Sequence, residues 1–382
     1  MPEQARASIK RGDLAGEYFE QLRGRFELAA DAAGGAVAQD LEVAGLRLRL
    51  RCAGESMRAA LLPPFEHLAA DGPGIPELTI SLFDTASTAV EAPPPAWDPL
   101  PAAPGTNPVA RLRSERFSLL AAAGTGALTA IEPAAGVGFF HLPDAERIPP
   151  SERAAPLPDA LQLLMAERGR WMTHAGAVGR DGRGVLLVGR GGSGKSTLAL
   201  SCALAGMEIA ADDYVLLEPG DPPAVHAMQS TAKLTEDSAA RLGLGAEAID
   251  AAGFEPTLEG PAKALVEIRA LAPGAMVRRL EIGAVVAPDL PPLTSPFVSH
   301  IETKDEVSPG DGGYEPVLRS TSAAQGLRAV APSTIVQSGF QGASSLAALA
   351  GLVRRVPSYA LELSPDPVAN AAAVGRLVDQ LG

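Results

Sequence analysis

Three features of the sequence predict an α/β phosphate-loop domain behind a mainly β N-terminal region. An apolar run of strand length, Gly184-Val185-Leu186-Leu187-Val188, meets a glycine-rich turn that opens into a helical pattern. Beyond it, apolar runs such as Met207 to Ala211 and Leu280 to Ala287 are interspersed with helical segments, as in a layered α/β fold. Before it, short runs alternate apolar and polar residues, the signature of half-buried antiparallel strands.

The 382 residues give length for two or three domains and a sizeable core. Hydrophobic residues make up 46% and aromatic ones only 4%, so the chain reads as globular with an interior of Leu, Val and Ala. Its 40 glycines and 34 prolines require many turns. A net charge of −13 argues against non-specific nucleic-acid or anionic-membrane binding, which needs cationic surface, while leaving room for a local basic patch at a phosphate site. No apolar run reaches the length of a membrane span without a charge or turn residue, and Met1 to Glu20 lacks a signal-peptide core. Cys52 and Cys202 sit in no metal-ligand spacing, and Cys202 reads as a small core residue. A cytoplasmic protein with no nucleic-acid and no membrane partner is the expectation.

Residues 1–150 are read as the first region and 151–382 as the second. In the first, Leu41 to Cys52 alternates as one strand with Arg47, Arg49 and Arg51 on its wet face, more simply solvated than binding an acidic partner. Met57 to Ala70 is partly helical around Pro63-Pro64. Leu78 to Phe83, Arg111 to Leu120 and Gly136 to Leu142 read as strands, and the proline-rich 91–108 as a linker. No chemical motif marks this region, for which an acceptor-binding or regulatory role is expected. In the second, a helix over Pro158 to Glu167 precedes a strand over Trp171 to Val178, a hairpin turn at Asp181-Gly182 and the loop strand. A helix from Gly194 to Ala205 stops at Gly206, and the strand Met207 to Ala211 ends in Asp212-Asp213. Then come a helix near Thr235 to Leu242, strands at Ala264 to Arg269 and Leu280 to Ala287, and a polar loop over 299–316. A helix over Ser344 to Val353, a strand over Ser358 to Leu363 and a helix over Ala369 to Leu381 close the chain.

Gly189-Arg190-Gly191-Gly192-Ser193-Gly194-Lys195-Ser196, followed by Thr197, fits G-x-x-x-x-G-K-[ST] at every position. Glycines let the backbone curl so that successive N–H groups point at one anion, and the following helix adds its positive dipole end. Lys195 would reach terminal phosphates and the Ser196 hydroxyl would ligate Mg²⁺. The plain alternative is a glycine-rich turn before an ordinary helix, but strand, loop and helix come in the right order.

Three neighbours offer chemistry. Asp212 and Asp213 end a strand, where ligands sit in sheets of this kind; one acid could hold metal and the other take a proton from an attacking hydroxyl, against the alternative of a turn or helix cap. His174 lies on a strand next to the loop strand and is either a phosphate contact or a core histidine. Glu267, among Leu265, Val266 and Ile268, needs a partner if buried, either Mg²⁺ or Arg269, unless it faces outward on an edge strand.

The ordered set His174, Gly189 to Ser196, Ala211-Asp212-Asp213 and Glu267-Ile268-Arg269 resembles the HPr serine kinase/phosphorylase family. His174 lies 21 positions before Lys195 and Asp213 lies 18 after it, both spacings of that family. The resemblance implies a P-loop kinase domain of the HPr kinase and phosphoenolpyruvate carboxykinase type. It implies ATP and Mg²⁺ as cofactors, Asp213 as general base, and Ser196 and Glu267 as metal ligands, beside which Asp212 is read from its position as a second catalytic or metal-binding acid. His174 and Lys195 would complete the active site around the nucleotide-binding residues Gly189 to Thr197, and the acceptor would be a serine of a protein or peptide. Family members often form oligomers, so a homo-oligomer is expected too. The match covers about residues 170–270. The loop ends Gly-Lys-Ser-Thr rather than Gly-Lys-Ser-Glu, the interval from Lys195 to Glu267 is longer, and no Pro-Gly-Arg-Asn-like segment follows. Arg354 to Leu361 looks more like kinase-like proteins of peptide-modification clusters, some of which phosphorylate a precursor peptide. Two further readings stay open: a nucleotide-binding regulatory or scaffold protein with little or no hydrolysis, and a small-molecule kinase.

Overall fold

The computed structural model describes residues 3–95, 97, 108–249, 253–255, 261–289, 315–338 and 342–381. They fall into two compact units, Met1–Arg170 with Glu255–Ala262, and Trp171–Phe254 with Lys263–Gly382.

The first unit carries helices α1 (Glu3–Ala32), α2 (Glu55–Leu61), α3 (Thr85–Thr88), α4 (Pro150–Arg153) and α5 (Pro158–Ala166). Its strands are β1 (Ala36–Val43), β2 (Leu46–Ala53), β3 (Leu78–Asp84), β4 (Val109–Arg113), β5 (Ser118–Ala122), β6 (Leu128–Glu132) and β7 (Val137–Leu142). They form one mixed sheet in the order β1-β2-β3-β7-β6-β5-β4. The unit is therefore a sheet with a long covering helix, not a mainly β region. Ala15, Phe19, Leu22, Phe26 and Ala29 recur at helical spacing on α1 and are buried against Phe83, Phe117 and Phe139. Full burial of Phe19, Leu22 and Phe26 is worth roughly 1.5–3 kcal/mol each, which holds the helix to the sheet.

Two expected single strands are hairpins. Leu41 to Cys52 folds back at Ala44-Gly45, with φ of 52° and 75°, so that Val43 pairs with Leu46. Arg111 to Leu120 breaks between Arg113 and Ser118, which pair with each other. Arg49 and Arg47 are spent on Asp40 (2.7 and 3.5 Å) and Arg51 on Glu27 (3.3 Å), in keeping with a solvated face. Most of the linker read over 91–108 lies outside the described residues, and α5, expected beyond the boundary, belongs to the first unit.

The second unit opens with β8 (Trp171–His174), β9 (Gly176–Arg180), β10 (Arg183–Leu187), α6 (Lys195–Leu204), β11 (Glu208–Ala211), β12 (Tyr214–Glu218) and β13 (Ala224–Ala227). It continues with β14 (Thr231–Leu234), α7 (Glu236–Arg241), β15 (Ala264–Glu267), α8 (Ile268–Leu271), β16 (Arg279–Asp289), β17 (Val317–Thr321), α9 (Ala323–Ser338), α10 (Gly342–Arg355), β18 (Ser358–Glu362) and α11 (Pro367–Gln380). The expected strand Ala264 to Arg269 thus ends at Glu267 and turns helical. The 299–316 loop falls outside the described residues apart from its last positions.

The main sheet runs β11-β9-β10-β16-β13-β12-β8, with β18 parallel to β16 and β17 beside β18. Its first and last strands, β11 and β8, are joined by one or two residues to β12 and β9. Since β9 pairs with β11 and β8 with β12, the sheet folds back on itself at Ala175 and at Asp212-Asp213. Behind β9 and β10, Val178, Val185 and Leu187 pack in a common core with Leu198 and Cys202 of α6 and Val374 and Leu377 of α11. β14 and β15 form a separate two-stranded ribbon. Among the described residues, no helix is long and apolar enough to cross a membrane.

Candidate functional site

β10 is buried, and its parallel partner β16 receives one last bond, Val188 N–H to the Val286 carbonyl at 2.9 Å, before the chain leaves the sheet. The loop that follows ends at Gly194, whose φ of 91° suits glycine and which caps α6 without a side chain. The first helical bond runs from Leu198 N–H to the Gly194 carbonyl (2.9 Å), leaving the N–H groups of Lys195, Ser196 and Thr197 without an intrahelical acceptor. These donors and the positive end of the dipole face the loop.

Lys195 is buried and folded back, its Nζ donating to the Gly189 carbonyl (2.7 Å) and the Arg190 carbonyl (3.2 Å). Burial lowers the pKa of its ammonium, with the Asp213 and Asp212 charges opposing. Arg190, Gly191 and Gly192 are exposed. The Ser193 hydroxyl is buried against Gly189 and has no partner among the described residues. Thr197 points elsewhere, donating to Ser238 Oγ (3.0 Å) at the start of α7.

The fold-back of the sheet brings the acids to the loop. Asp212 is 1% exposed; its carboxylate accepts from the Ser196 hydroxyl and from the Lys233 backbone N–H, while Oδ2 has no partner among the described residues. Burial, and then the adjacent Asp213 charge, push its carboxyl well above the ordinary range against the pull of Lys233 and Ser196. Asp213 behaves oppositely. His174 Nε2 donates to its Oδ1 at 2.7 Å and Lys233 Nζ to its Oδ2 at 2.9 Å. Burial alone would raise this carboxyl too, but the Lys233 charge and the His174 hydrogen bond outweigh it and hold Asp213 far below the usual range. Burial likewise works against the Lys233 ammonium, and the Asp213 charge overrides it, keeping the lysine protonated.

His174 is set by three contacts: Asp213, the Tyr214 ring at 5.5 Å, and its backbone N–H on Thr334 Oγ1 of α9 at 3.2 Å. Nδ1 of its ring has no partner among the described residues. Glu267 lies directly across the β14–β15 ribbon from Thr231, on the same face as Lys233. It caps α8 and accepts from the backbone N–H (3.4 Å) and Nε (3.1 Å) of Arg269. Among the described residues no group of three or more His, Cys, Asp or Glu side chains is gathered as a metal site.

The structure thus brings His174, Lys195, Ser196, Asp212 and Asp213 together and leaves Thr197 turned away and Glu267 paired with Arg269. Lys233 and Thr334 enter the site without having been candidates. The alternation of Ala232, Lys233 and Leu234 was the available signal for the lysine, since it marks a strand with one charged face; nothing local marks Thr334.

No family model matches the sequence, and no curated protein does. Among solved structures, the HPr(Ser) kinase/phosphatase from Coxiella burnetii is similar at 15% identity and a TM-score of 0.27, over 55% of this chain and 92% of that one. A likeness of that strength fixes neither fold nor activity, so function has to be read from the side chains themselves.

Proposed function

We propose that this chain is an ATP- and Mg²⁺-dependent phosphotransferase that passes the γ-phosphoryl group to a serine hydroxyl of a protein or peptide. One observation carries the reading: beside the glycine loop, the Ser196 hydroxyl bonds a buried Asp212 carboxylate whose other oxygen has no partner among the described residues. A hydroxyl and a carboxylate at the start of α6 are the hard oxygen donors that Mg²⁺ takes at a phosphate loop. The lone oxygen and the raised pKa of Asp212 would both be relieved by a cation held there. Ser196 and Asp212 would hold it, with Glu267 joining on release from Arg269. Held by these residues, Mg²⁺ would supply charge neutralisation to the phosphates of the donor.

The chain's own residues supply the rest. The free N–H groups at the start of α6 and those of the loop receive the phosphate oxygens. Lys195 offers its ammonium to the terminal phosphate in exchange for two carbonyls. Asp213, ionised and gripped by His174 and Lys233, accepts the hydrogen bond of the attacking hydroxyl and takes its proton as the phosphoryl group transfers.

Asp213→Asn keeps the shape and removes the charge. It should retain ATP binding and lose transfer by roughly 10²–10⁴-fold; transfer at the wild-type rate would remove Asp213 from the mechanism. Labelled ATP offered to cell extract split into protein, peptide and metabolite fractions identifies the acceptor. Label in the metabolite fraction would make the chain a small-molecule kinase, and tight ATP binding without transfer a scaffold.

A further inference from the structure

β14 turns Ala232 and Leu234 into the core of the second unit, 0% and 1% exposed, and Thr231 and Lys233 to the opposite face. From there Lys233 addresses both acids at once, its main-chain N–H bonding Asp212 and its ammonium lying 2.9 Å from Asp213 Oδ2. The Tyr214 ring stands 5.9 Å from the ammonium, and His174 takes the other oxygen of Asp213. A largely buried ion pair is a poor way to gain stability, because an apolar pair of similar volume does as well or better. Its geometry is the better explanation: two donors, one on each oxygen, fix the orientation of the carboxylate and leave each oxygen with acceptor capacity for a further donor.

Resting on the phosphotransfer reading, we propose that Lys233 is a positioning residue that holds the Asp213 carboxylate, between itself and His174, in the single orientation that meets the acceptor hydroxyl. It acts on the rate of transfer and leaves nucleotide binding to the loop.

The test compares wild type with Lys233→Met and Lys233→Arg. Thermal melting, Mg·ADP affinity by calorimetry, kcat and KM for ATP, and the ¹⁵N–¹H signal of the His174 ring are read for each. Lys233→Met should keep Mg·ADP affinity and KM within about threefold and lower kcat by roughly 10²-fold. Its His174 ring signal should shift or vanish as Asp213 swings free. Lys233→Arg should return the ring signal and about tenfold of the lost rate. An unmoved ring signal with unchanged kcat in Lys233→Met overturns the proposal, as does a loss of Mg·ADP affinity equal to the loss of kcat. Should Lys233→Met fail to fold, Lys233→Gln is judged by the same criteria. If the wild type phosphorylates no acceptor, the phosphotransfer reading falls. The ring signal alone then decides whether Lys233 positions Asp213.

Discussion

Alanine placed in turn at Gly191, Gly192 and Gly194 should separate backbone strain, packing and ligand contact along a single loop. At Gly191 φ is not positive and a new Cβ would meet nothing within 4 Å, so the fold should be unmoved, within about 0.5 kcal/mol. At Gly192 the space is equally open but φ is 80°, a conformation that costs an L-residue roughly 1–2 kcal/mol. At Gly194 φ is 91° and the Cβ would lie 2.7 Å from Leu363 Cδ1, a side chain only 6% exposed. The end of a leucine can turn, so overpacking adds only about 1 kcal/mol to the strain. The total of about 2–3 kcal/mol should lower the melting temperature by roughly 4–12 °C for a unit of this size. Urea and thermal unfolding followed by circular dichroism give the ranking. A Gly191→Ala variant as costly as Gly194→Ala, or Gly192→Ala costlier than both, would refute the reasoning. On the phosphotransfer reading, a methyl at Gly191 should also weaken ATP binding while leaving stability intact.

His141 makes the first unit acid-sensitive. Burial pulls its pKa from the ordinary 6.5 to about 4, with Asp84 opposing, so the unfolded chain binds a proton there that the folded chain refuses. The associated stability is complete above pH 6.5 and is lost as pH falls toward 4, about 3 kcal/mol in all. His141→Gln should flatten this stretch of the pH–stability curve, and an unchanged slope would show that the imidazole is not the group responsible. Cys52 and Cys202 are both 0% exposed, and burial pushes each thiol up to about 12. Neither should take a thiol reagent in the folded protein. Mass spectrometry of the labelled peptides should then time the opening of the two units separately, and rapid labelling in native buffer would contradict the burial.

What could be read from the sequence was what neighbouring residues settle among themselves. The strand, glycine loop and helix around Lys195 satisfy local demands, as do the Asp181-Gly182 turn, with φ of 50° and 77°, and the helix stop at Gly206, with φ of 82°. The hairpin at Ala44-Gly45 leaves only a one-residue slip of phase, from Leu41 and Val43 to Leu46, Leu48, Leu50 and Cys52, which is easily passed over because both flanks alternate alike and alanine at φ 52° is not a turn residue. The stripe of α1 is present in Phe19, Leu22 and Phe26, but Gly12, Gly16 and Gly24 and the charges around them dilute it. Lys233 lies beyond local reach, because its meeting with Asp213 depends on where the β14–β15 ribbon lies against the end of β11. Glu267 is the converse case: its strand and its partner Arg269, two residues further on, were both legible because they are local.

Asp212 and Asp213 are consecutive in sequence and opposed in environment. Asp213 has two donors that favour its charge, whereas Asp212 has a hydroxyl, a backbone N–H and a like-charged neighbour. Where two titratable groups are driven apart in this way, their roles divide accordingly. Asp212, with one oxygen open and its negative charge disfavoured, is the acid with most to gain from a cation. Asp213, with its charge already balanced, has little to gain from one. The same balance makes Asp213 a weak base, which would be a defect if the hydroxyl had to be stripped of its proton before attack. Phosphoryl transfer through a loose transition state asks for less, since the nucleophile is then still largely protonated and bond formation is slight. A carboxylate fixed in direction serves such a step better than a basic one free to turn. On the phosphotransfer reading, the grip of His174 and Lys233 would then belong to the chemistry, and the variant to watch is the one that frees Asp213 rather than the one that neutralises it.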